Sequence, residues 1–370
     1  SNLLNNKKAD GFVEQYKSEY KELREDHASR QLEKTMLPYE KAKENRFSTN
    51  WSETVATKPS FLGVKVFNKF PIEDLIEYID WTPFFHAWEM KGRYPSIFDN
   101  NTFGKEARQL FDDANKLLES IIQNQWLEAK AVMGLFPANA VGDDIEIYSF
   151  EKNKMGYTED RRKVKYMLHH LRQQSKKADG LPNYSLSDFI APKDSGVEDY
   201  LGAFVVSTGF GAEKLSEGFE KDHDDYRSIL TKAIADRLAE AFAEKLHKLV
   251  RTELWGYAPA EHLDSESLIK EKYQGIRPAP GYPACPDHLE KKTIFEMMDV
   301  ENKINVGLTE SMAMFPAASV SGWYISHPDS RYFAVNRIQK DQVVDYARRK
   351  NMTVEKIERW LAPVLGYETD

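Results

Sequence analysis

One stretch of the sequence, residues 275–288, reads GIRPAPGYPACPDH and places an arginine, a tyrosine and a cysteine among four prolines and two glycines. Each proline fixes its own φ and favours an extended conformation for the residue before it, so the backbone from 277 to 283 should be stiff and extended. Arg277 offers a planar fork that suits a carboxylate or a phosphate. Tyr282 adds an aromatic face for a cation or a flat ring. These features predict a site for a ligand that carries a carboxylate, a ring and a cationic centre.

The main chain of the same loop is a second candidate for ligand contact. We expect the N–H and C=O groups of Ala279 and Gly281 to be free, and Gly281 to let a flat group approach the backbone closely. A rigid surface loop in which Arg277 makes a structural salt bridge would use the same residues. The sequence of the loop leaves both interpretations open.

A second group of polar residues recurs at helical spacing within 225–251, and it contains Asp236, Glu240, Glu244 and His247. On one helix these side chains share a stripe, which a metal site would need together with ligands from another element. Basic residues surround the stripe, so we favour a solvated face with salt bridges. The single cysteine, Cys285, has no electropositive helix start beside it, and we expect an inert loop thiol.

Composition limits the classes of function. The chain has 370 residues, 41% of them hydrophobic and 30% charged, and a formal net charge of −8. An acidic balance argues against nucleic acid as the main partner. No apolar run approaches the roughly 18–20 residues that a membrane span requires. One cysteine forms no internal disulfide, which fits a reducing cytoplasm.

The elements that hold these candidate residues can be predicted from apolar periodicity. Apolar residues alternate with polar ones in some segments and recur every three or four residues in others. We predict strands at 61–67, 131–136, 145–150 and 200–209, and a hairpin formed by 321–326 and 331–335. We predict helices at 72–79 and 225–251, a helix within 104–130 around the sequence EARQLFDDANKLLESII, and a final helix at about 339–361. Strands and helices do not alternate regularly. The fold class expected is therefore α+β, with mixed helices packed around a twisted, mainly antiparallel β-sheet.

Two polar segments suggest how the chain is organised. Residues 12–37 lack Gly and Pro and read as a solvated helix, so 1–58 is interpreted as a helical linker arm and 59–370 as one domain.

Residues 161–177 carry seven Lys or Arg and no acid. Val164, Met167, Leu168 and Leu171 recur at helical spacing there, which predicts a helix whose basic face points outward. That face is a candidate docking surface for an acidic protein, although nearby acids such as Glu151 and Asp160 would also suit a plain solvated face.

Several motifs together resemble the activation domain of cobalamin-dependent methionine synthase, over about residues 50–370. They follow one another along the chain: YIDWTPFF (78–85), GLFPANAVGDDIEIY (134–148), HHLRQQ (169–174), WGYAP (255–259), YQGIRPAPGYPACP (273–286), SVSGWYISHPDS (319–330) and RWLAPVLGY (359–367). The loop around Arg277 looks like that family's S-adenosylmethionine-binding motif, Arg-x-x-x-Gly-Tyr-Pro.

The resemblance implies roles for individual residues. Arg277 would pair with the methionyl carboxylate of S-adenosylmethionine, and Asp80 would face its ammonium group. Glu240 matches an acid near the cofactor, on the side of cobalamin. Further contacts would come from the main chain near Ala279 and Gly281, from Tyr282, and from the pair Tyr332 and Phe333. None of these is a nucleophile, so the expected task is positioning.

The resemblance also implies partners and cofactors. Cobalamin would be bound by an upstream domain of the same enzyme, and zinc by its homocysteine domain; neither domain has a counterpart in this sequence. The methyl group of S-adenosylmethionine would reactivate oxidised cob(II)alamin after a one-electron reduction, supplied in bacteria by flavodoxin. The competing hypothesis is a module that docks a redox protein and a neighbouring domain, with a vestigial ligand site.

Overall fold

The computed structural model describes residues 36–51, 53, 56–154 and 156–369. Its centre is a six-stranded sheet in which every pairing is antiparallel, with strand order β4-β3-β2-β5-β8 and β1 also paired to β2. The strands are β1 (Gly63–Phe70), β2 (Glu128–Val141), β3 (Asp144–Asn153), β4 (Gly156–His169), β5 (Asp199–Phe210), β6 (Gly307–Leu308), β7 (Met314–Phe315) and β8 (Ser319–Tyr324). β6 and β7 form a separate small hairpin. The α+β prediction is confirmed.

The α-helices pack on both faces of this sheet. They are α1 (Tyr39–Glu44), α2 (Trp81–Ala87), α3 (Gly104–Asn124), α4 (Ala212–Lys221), α5 (Asp225–Leu249), α6 (Ser265–Ile269), α7 (Glu290–Met298), α8 (Val300–Ile304), α9 (Lys340–Arg349) and α10 (Val354–Leu361). The predicted segment 72–79 forms a 3₁₀ helix, Ile72–Tyr78. None of the helices in the described ranges is long and apolar enough to cross a lipid bilayer.

The two central strands are buried on both faces, which explains their nearly continuous apolar sequence. On β5, Phe204 and Val206 face a core formed with α2, α3 and α5, whereas Ala203 and Val205 face a second core formed with α7 and α8. The long helix α5 begins at Asp224, whose side chain accepts a hydrogen bond from the N–H of Arg227 and caps the helix. α5 crosses the sheet on the side where the candidate ligand residues lie.

Three expectations for local structure are wrong. Residues 156–169 form strand β4 and not a helix, since Val164, Tyr166 and Leu168 also alternate and pair with β3 in the ladder. Residues 331–335 form no strand with β8; Val335 instead donates its N–H to the Pro283 carbonyl, at 2.8 Å. The last predicted helix is divided into α9 and α10 at Asn351, which has a φ of 52°. For residues 156–169 the short apolar pattern fits both periods, and pairing with the distant strand β3 decides between them.

Part of the predicted linker arm packs against the rest of the chain. The hydroxyl of Tyr39 donates to Asp143 at 2.7 Å, and the indole N–H of Trp255 donates to the Thr57 carbonyl at 2.7 Å. The helix predicted at 12–37 lies almost entirely outside the described residues. The division of the chain at residue 58 stays a prediction.

Candidate functional site

The loop that carries Arg277 begins as a short extension of the sheet. Ile276 and Ile325 exchange both backbone hydrogen bonds, and the N–H of Trp323 donates to the Pro278 carbonyl at 2.9 Å. Along an extended segment the N–H groups alternate in direction, so positions 276, 278 and 280 face β8. Proline at 278 and 280 supplies no donor there and ends the pairing. The N–H of Arg277 points the opposite way and donates to the hydroxyl of Tyr332, at 3.0 Å.

The turn that follows uses main-chain groups that we expected to be free. The N–H of Gly281 donates to the Cys285 carbonyl at 2.7 Å, and the N–H of Tyr282 donates to the Ala279 carbonyl at 3.2 Å. That expectation is therefore wrong for the Gly281 N–H and the Ala279 C=O. Within the described chain, the Ala279 N–H and the Gly281 C=O make no hydrogen bond.

Glycine is required at position 281 for a reason other than the one we inferred. Its φ is +91°, a left-handed conformation that L side chains rarely adopt. A Cβ there would also lie 2.3 Å from a carbon of the His288 imidazole. The close approach that glycine permits is thus made by His288 of the same chain.

The guanidinium of Arg277 is paired with a carboxylate from α5. Its Nη2 donates to Oε2 of Glu244 at 2.7 Å. Burial opposes the charge on Arg277, but the attraction of Glu244 outweighs it and raises the pKa of the guanidinium. Arg277 therefore stays charged at the edge of a cavity, where that charge can attract a carboxylate.

Arg277 and Asp80 line the same cavity, which has a volume of about 330 Å³. Asp80 is brought there as the N-cap of α2, where its Oδ1 accepts a hydrogen bond from the N–H of Thr82 at 2.9 Å. The walls come from the end of the 3₁₀ helix, α2, α5, α6 and the loop. The charged lining residues are Glu77, Asp80, Arg237, Glu240, Glu244, Glu271 and Arg277.

The charge of this cavity selects the kind of ligand it can hold. Five carboxylates and two arginines line it, a formal excess of three negative charges. Tyr78 and Tyr273 contribute aromatic surface. A cationic ligand is favoured by the excess of acids, and Arg277 on one wall adds a position for a carboxylate. The arrangement therefore suits a small zwitterionic ligand with a net positive charge.

Tyr282, Tyr332 and Phe333, which were also predicted as ligand contacts, are not among the residues that line this cavity. Tyr282 is 54% exposed, and its hydroxyl is 3.5 Å from Oε1 of Glu240. The hydroxyl of Tyr332 accepts a hydrogen bond from the N–H of Arg277 and so holds the loop in place. The same hydroxyl is 3.3 Å from that of Tyr273. Phe333 stacks on Tyr184 with ring centroids 5.6 Å apart.

The solvated face that we inferred on α5 is wrong at its C-terminal half. The side chain of Glu244 is 11% exposed, and His247 is fully buried between Tyr324 and Tyr273. Burial, with a contribution from neighbouring arginines, lowers the pKa of His247 and keeps it neutral. The sequence contained a signal for a carboxylate partner of Arg277. Glu240 and Glu244 are one helical turn apart, and an arginine that becomes buried needs a carboxylate beside it.

Glu271 is a lining residue that the sequence analysis missed. Burial raises the pKa of its carboxyl group, although the charge of Arg277 opposes the shift. No motif marks this position. By contrast, the expectation for Cys285 agrees with its environment, since the thiol is buried and burial raises its pKa.

The fold and the cavity define a small-molecule-binding domain in which a stiff loop on the sheet faces an acidic helix. The family model described as "vitamin B12 dependent methionine synthase, activation domain" matches residues 71–351. A solved structure described as the crystal structure of the MetH reactivation domain bound to AdoHcy is 53% identical in sequence. The match covers 90% of this chain and 99% of that one, with a TM-score of 0.84.

This chain belongs to the family of activation domains of vitamin B12-dependent methionine synthase. The resemblance stated from the motifs is confirmed.

Proposed function

We propose that this chain binds S-adenosylmethionine in the 330 Å³ cavity and presents its methyl group for the reductive reactivation of cobalamin. The observation that carries the proposal is the pairing of Arg277 with an excess of carboxylates around one cavity. S-adenosylmethionine has one carboxylate, one ammonium group and one sulfonium, and so a net positive charge. The AdoHcy bound to the related reactivation domain has the same skeleton without the methyl group.

The carboxylate and the ammonium group of the ligand each have a partner of opposite charge. The fork of Arg277 pairs with the carboxylate, and Asp80 pairs with the ammonium group. Glu240 lies on α5, with Oε1 3.5 Å from the hydroxyl of the exposed Tyr282. In this proposal the methyl acceptor approaches from that side. S-adenosylmethionine supplies a methyl group that its sulfonium already activates. The residues of this chain therefore bind and orient the ligand and need no nucleophile of their own.

The methyltransferase reaction belongs, in this proposal, to the whole enzyme. A cobalamin-binding domain of the same enzyme would hold the methyl acceptor, and zinc would belong to the homocysteine domain. Flavodoxin or a similar reductase would deliver the electron. This chain supplies the site for the methyl donor.

Calorimetric titration with S-adenosylmethionine tests the proposal, and S-adenosylhomocysteine is the matched comparison. The two ligands differ by a methyl group and one positive charge, so the acidic cavity should bind S-adenosylmethionine several-fold more tightly, by roughly 1 kcal/mol. A docking module with a vestigial site would bind neither ligand. Absence of binding at millimolar ligand would rule out the proposed function.

A further inference from the structure

Arg277 is the outer member of a row of four charged side chains that leads into the protein. Arg251 is completely buried and forms a bidentate salt bridge with Glu261. The distances are 2.9 Å from Nε to Oε2 and 2.7 Å from Nη2 to Oε1. Nη1 of Arg251 lies 3.8 Å from Oε1 of Glu244. Oε2 of Glu244 then accepts the hydrogen bond from Arg277. The charges alternate in sign from Glu261 to the cavity.

The row depends on the geometry of α5. Glu244 lies in its last two turns, and Arg251 follows seven residues later in the π-helical turn Val250–Leu254. Seven residues are nearly two full helical turns, so both side chains project from the same side. The rigid helix thus holds Glu244 between the two arginines.

The contact leaves most of the Arg277 fork available. Glu244 uses one N–H of the guanidinium, and the buried Nε of Arg277 has no partner among the described residues. A guanidinium has five N–H donors in one plane, and fixing one of them fixes the direction of the rest. The remaining donors can then meet a carboxylate in the cavity without first losing side-chain freedom.

Arg251 limits the electrostatic cost of having Glu244 near a ligand carboxylate. Two carboxylates close to one arginine repel each other, which would weaken binding. The charge of Arg251 lies on the far side of Glu244 and compensates it. Glu261 in turn compensates Arg251, so no charge in the row is buried alone.

We infer that Glu244 is a positioning residue: it orients the guanidinium of Arg277 for recognition of the ligand's carboxylate, and Arg251 holds Glu244 in place. The inference rests on the proposed binding of S-adenosylmethionine. It predicts that Glu244 orients the ligand only through Arg277, and that this effect is therefore confined to ligands that carry a carboxylate.

The test compares Glu244→Gln with wild type for two ligands, S-adenosylmethionine and 5′-methylthioadenosine, which lacks the amino-acid portion. The variant should bind S-adenosylmethionine about tenfold more weakly and methylthioadenosine with unchanged affinity. In an Arg277→Ala background, Glu244→Gln should have no further effect on the affinity for S-adenosylhomocysteine, which carries the carboxylate but no net charge. Glu253→Gln, an exposed acid two residues from Arg251, is the matched control and should match wild type.

Thermal unfolding first shows that each variant is folded. Equal losses for both ligands, tighter binding of S-adenosylmethionine, or additive effects with Arg277→Ala would overturn the positioning role while leaving the proposed function intact. Failure of the wild type to bind S-adenosylmethionine would overturn both.

Discussion

Arg172 and Arg277 are both arginines in motifs shared with the activation-domain family, but the structure uses them in opposite ways. Arg172 is 1% exposed, and all five of its N–H donors are engaged, by Asp143, Asp188 and the Asn183 carbonyl. Arg277 uses one guanidinium donor, on Glu244, and faces a cavity. A saturated guanidinium has nothing left for a ligand. The number of engaged donors therefore separates a structural arginine from one whose guanidinium can still meet a ligand.

A third arginine extends the comparison to the surface. Arg162, on the edge strand β4, has a side chain that is 94% exposed, and among the described residues it pairs only with Asp160. Its neighbour Arg161 is only partly exposed and donates hydrogen bonds to Glu159, Asn139 and the Asp199 carbonyl. Counting basic residues in the sequence made 161–177 look like one basic face. The structure reduces that face to Arg162, Lys163 and Lys165, together with residues beyond β4.

The largest expected effect is on stability, at the saturated site. Arg172→Ala should lower the free energy of unfolding by about 3–5 kcal/mol, because Asp143 and Asp188 would be left buried without their cation. Chemical denaturation measures this loss. Arg162→Ala is the matched control and should leave the denaturation midpoint unchanged. Equal stability of Arg172→Ala and wild type would break the comparison.

Next in size is the effect of Arg277 on binding. Arg277→Ala should fold and should bind S-adenosylmethionine roughly 10- to 100-fold more weakly, the result of losing about 1.5–3 kcal/mol from a charge-assisted contact. Arg277→Lys should restore only part of the affinity, since lysine lacks the planar fork. Calorimetric titration measures both variants. A lost thermal transition in Arg277→Ala would place this residue with Arg172 among the structural arginines.

The effect of pH on binding should be smaller than the effect of Arg277→Ala. Desolvation raises the pKa of Glu271 beside Arg277 above its ordinary value, so the contribution of this carboxyl group to stability is lost as pH rises through the raised pKa. A cationic ligand favours the ionised form. Affinity for S-adenosylmethionine should therefore fall as pH falls from neutral through the raised pKa of Glu271, toward the ordinary glutamate pKa of about 4.3. Glu271→Gln should flatten this dependence, and an unchanged slope would assign it to another group.

The smallest expected effect concerns the exposed basic residues. Reversing Arg162, Lys163 and Lys165 to Glu should slow association with flavodoxin a few-fold at low salt, and the difference should vanish when the Debye length falls below about 8 Å. Arg161 is left unchanged because of its buried contacts. The matched control reverses three exposed lysines on α3 and α4: Lys105, Lys214 and Lys221. Equal on-rates for both triple variants at low salt would move the docking surface elsewhere.

Local patterns were sufficient where neighbours in the chain decide the structure. The strands at 131–136, 145–150 and 200–209 were predicted correctly, and so was the helix that became α5, because apolar periodicity and an acidic N-cap act within a few residues. The segment 161–169 was misassigned because its short apolar pattern fits both periods. Only the ladder with β3, formed by residues about 20 positions away, distinguishes a strand from a helix there.

The sequence by itself determined the stiff proline-rich loop, the presence of Arg277 in it and the family to which the chain belongs. Proline and glycine act on their own backbone, and motif order needs no coordinates. Only the tertiary structure decided which carboxylates surround that arginine, because Glu244 and Asp80 lie 33 and 197 residues away along the chain. It also decided that Gly281 faces His288 and that Arg172 is saturated. Burial and charge pairing arise between distant segments, and a linear pattern does not encode which of them will meet.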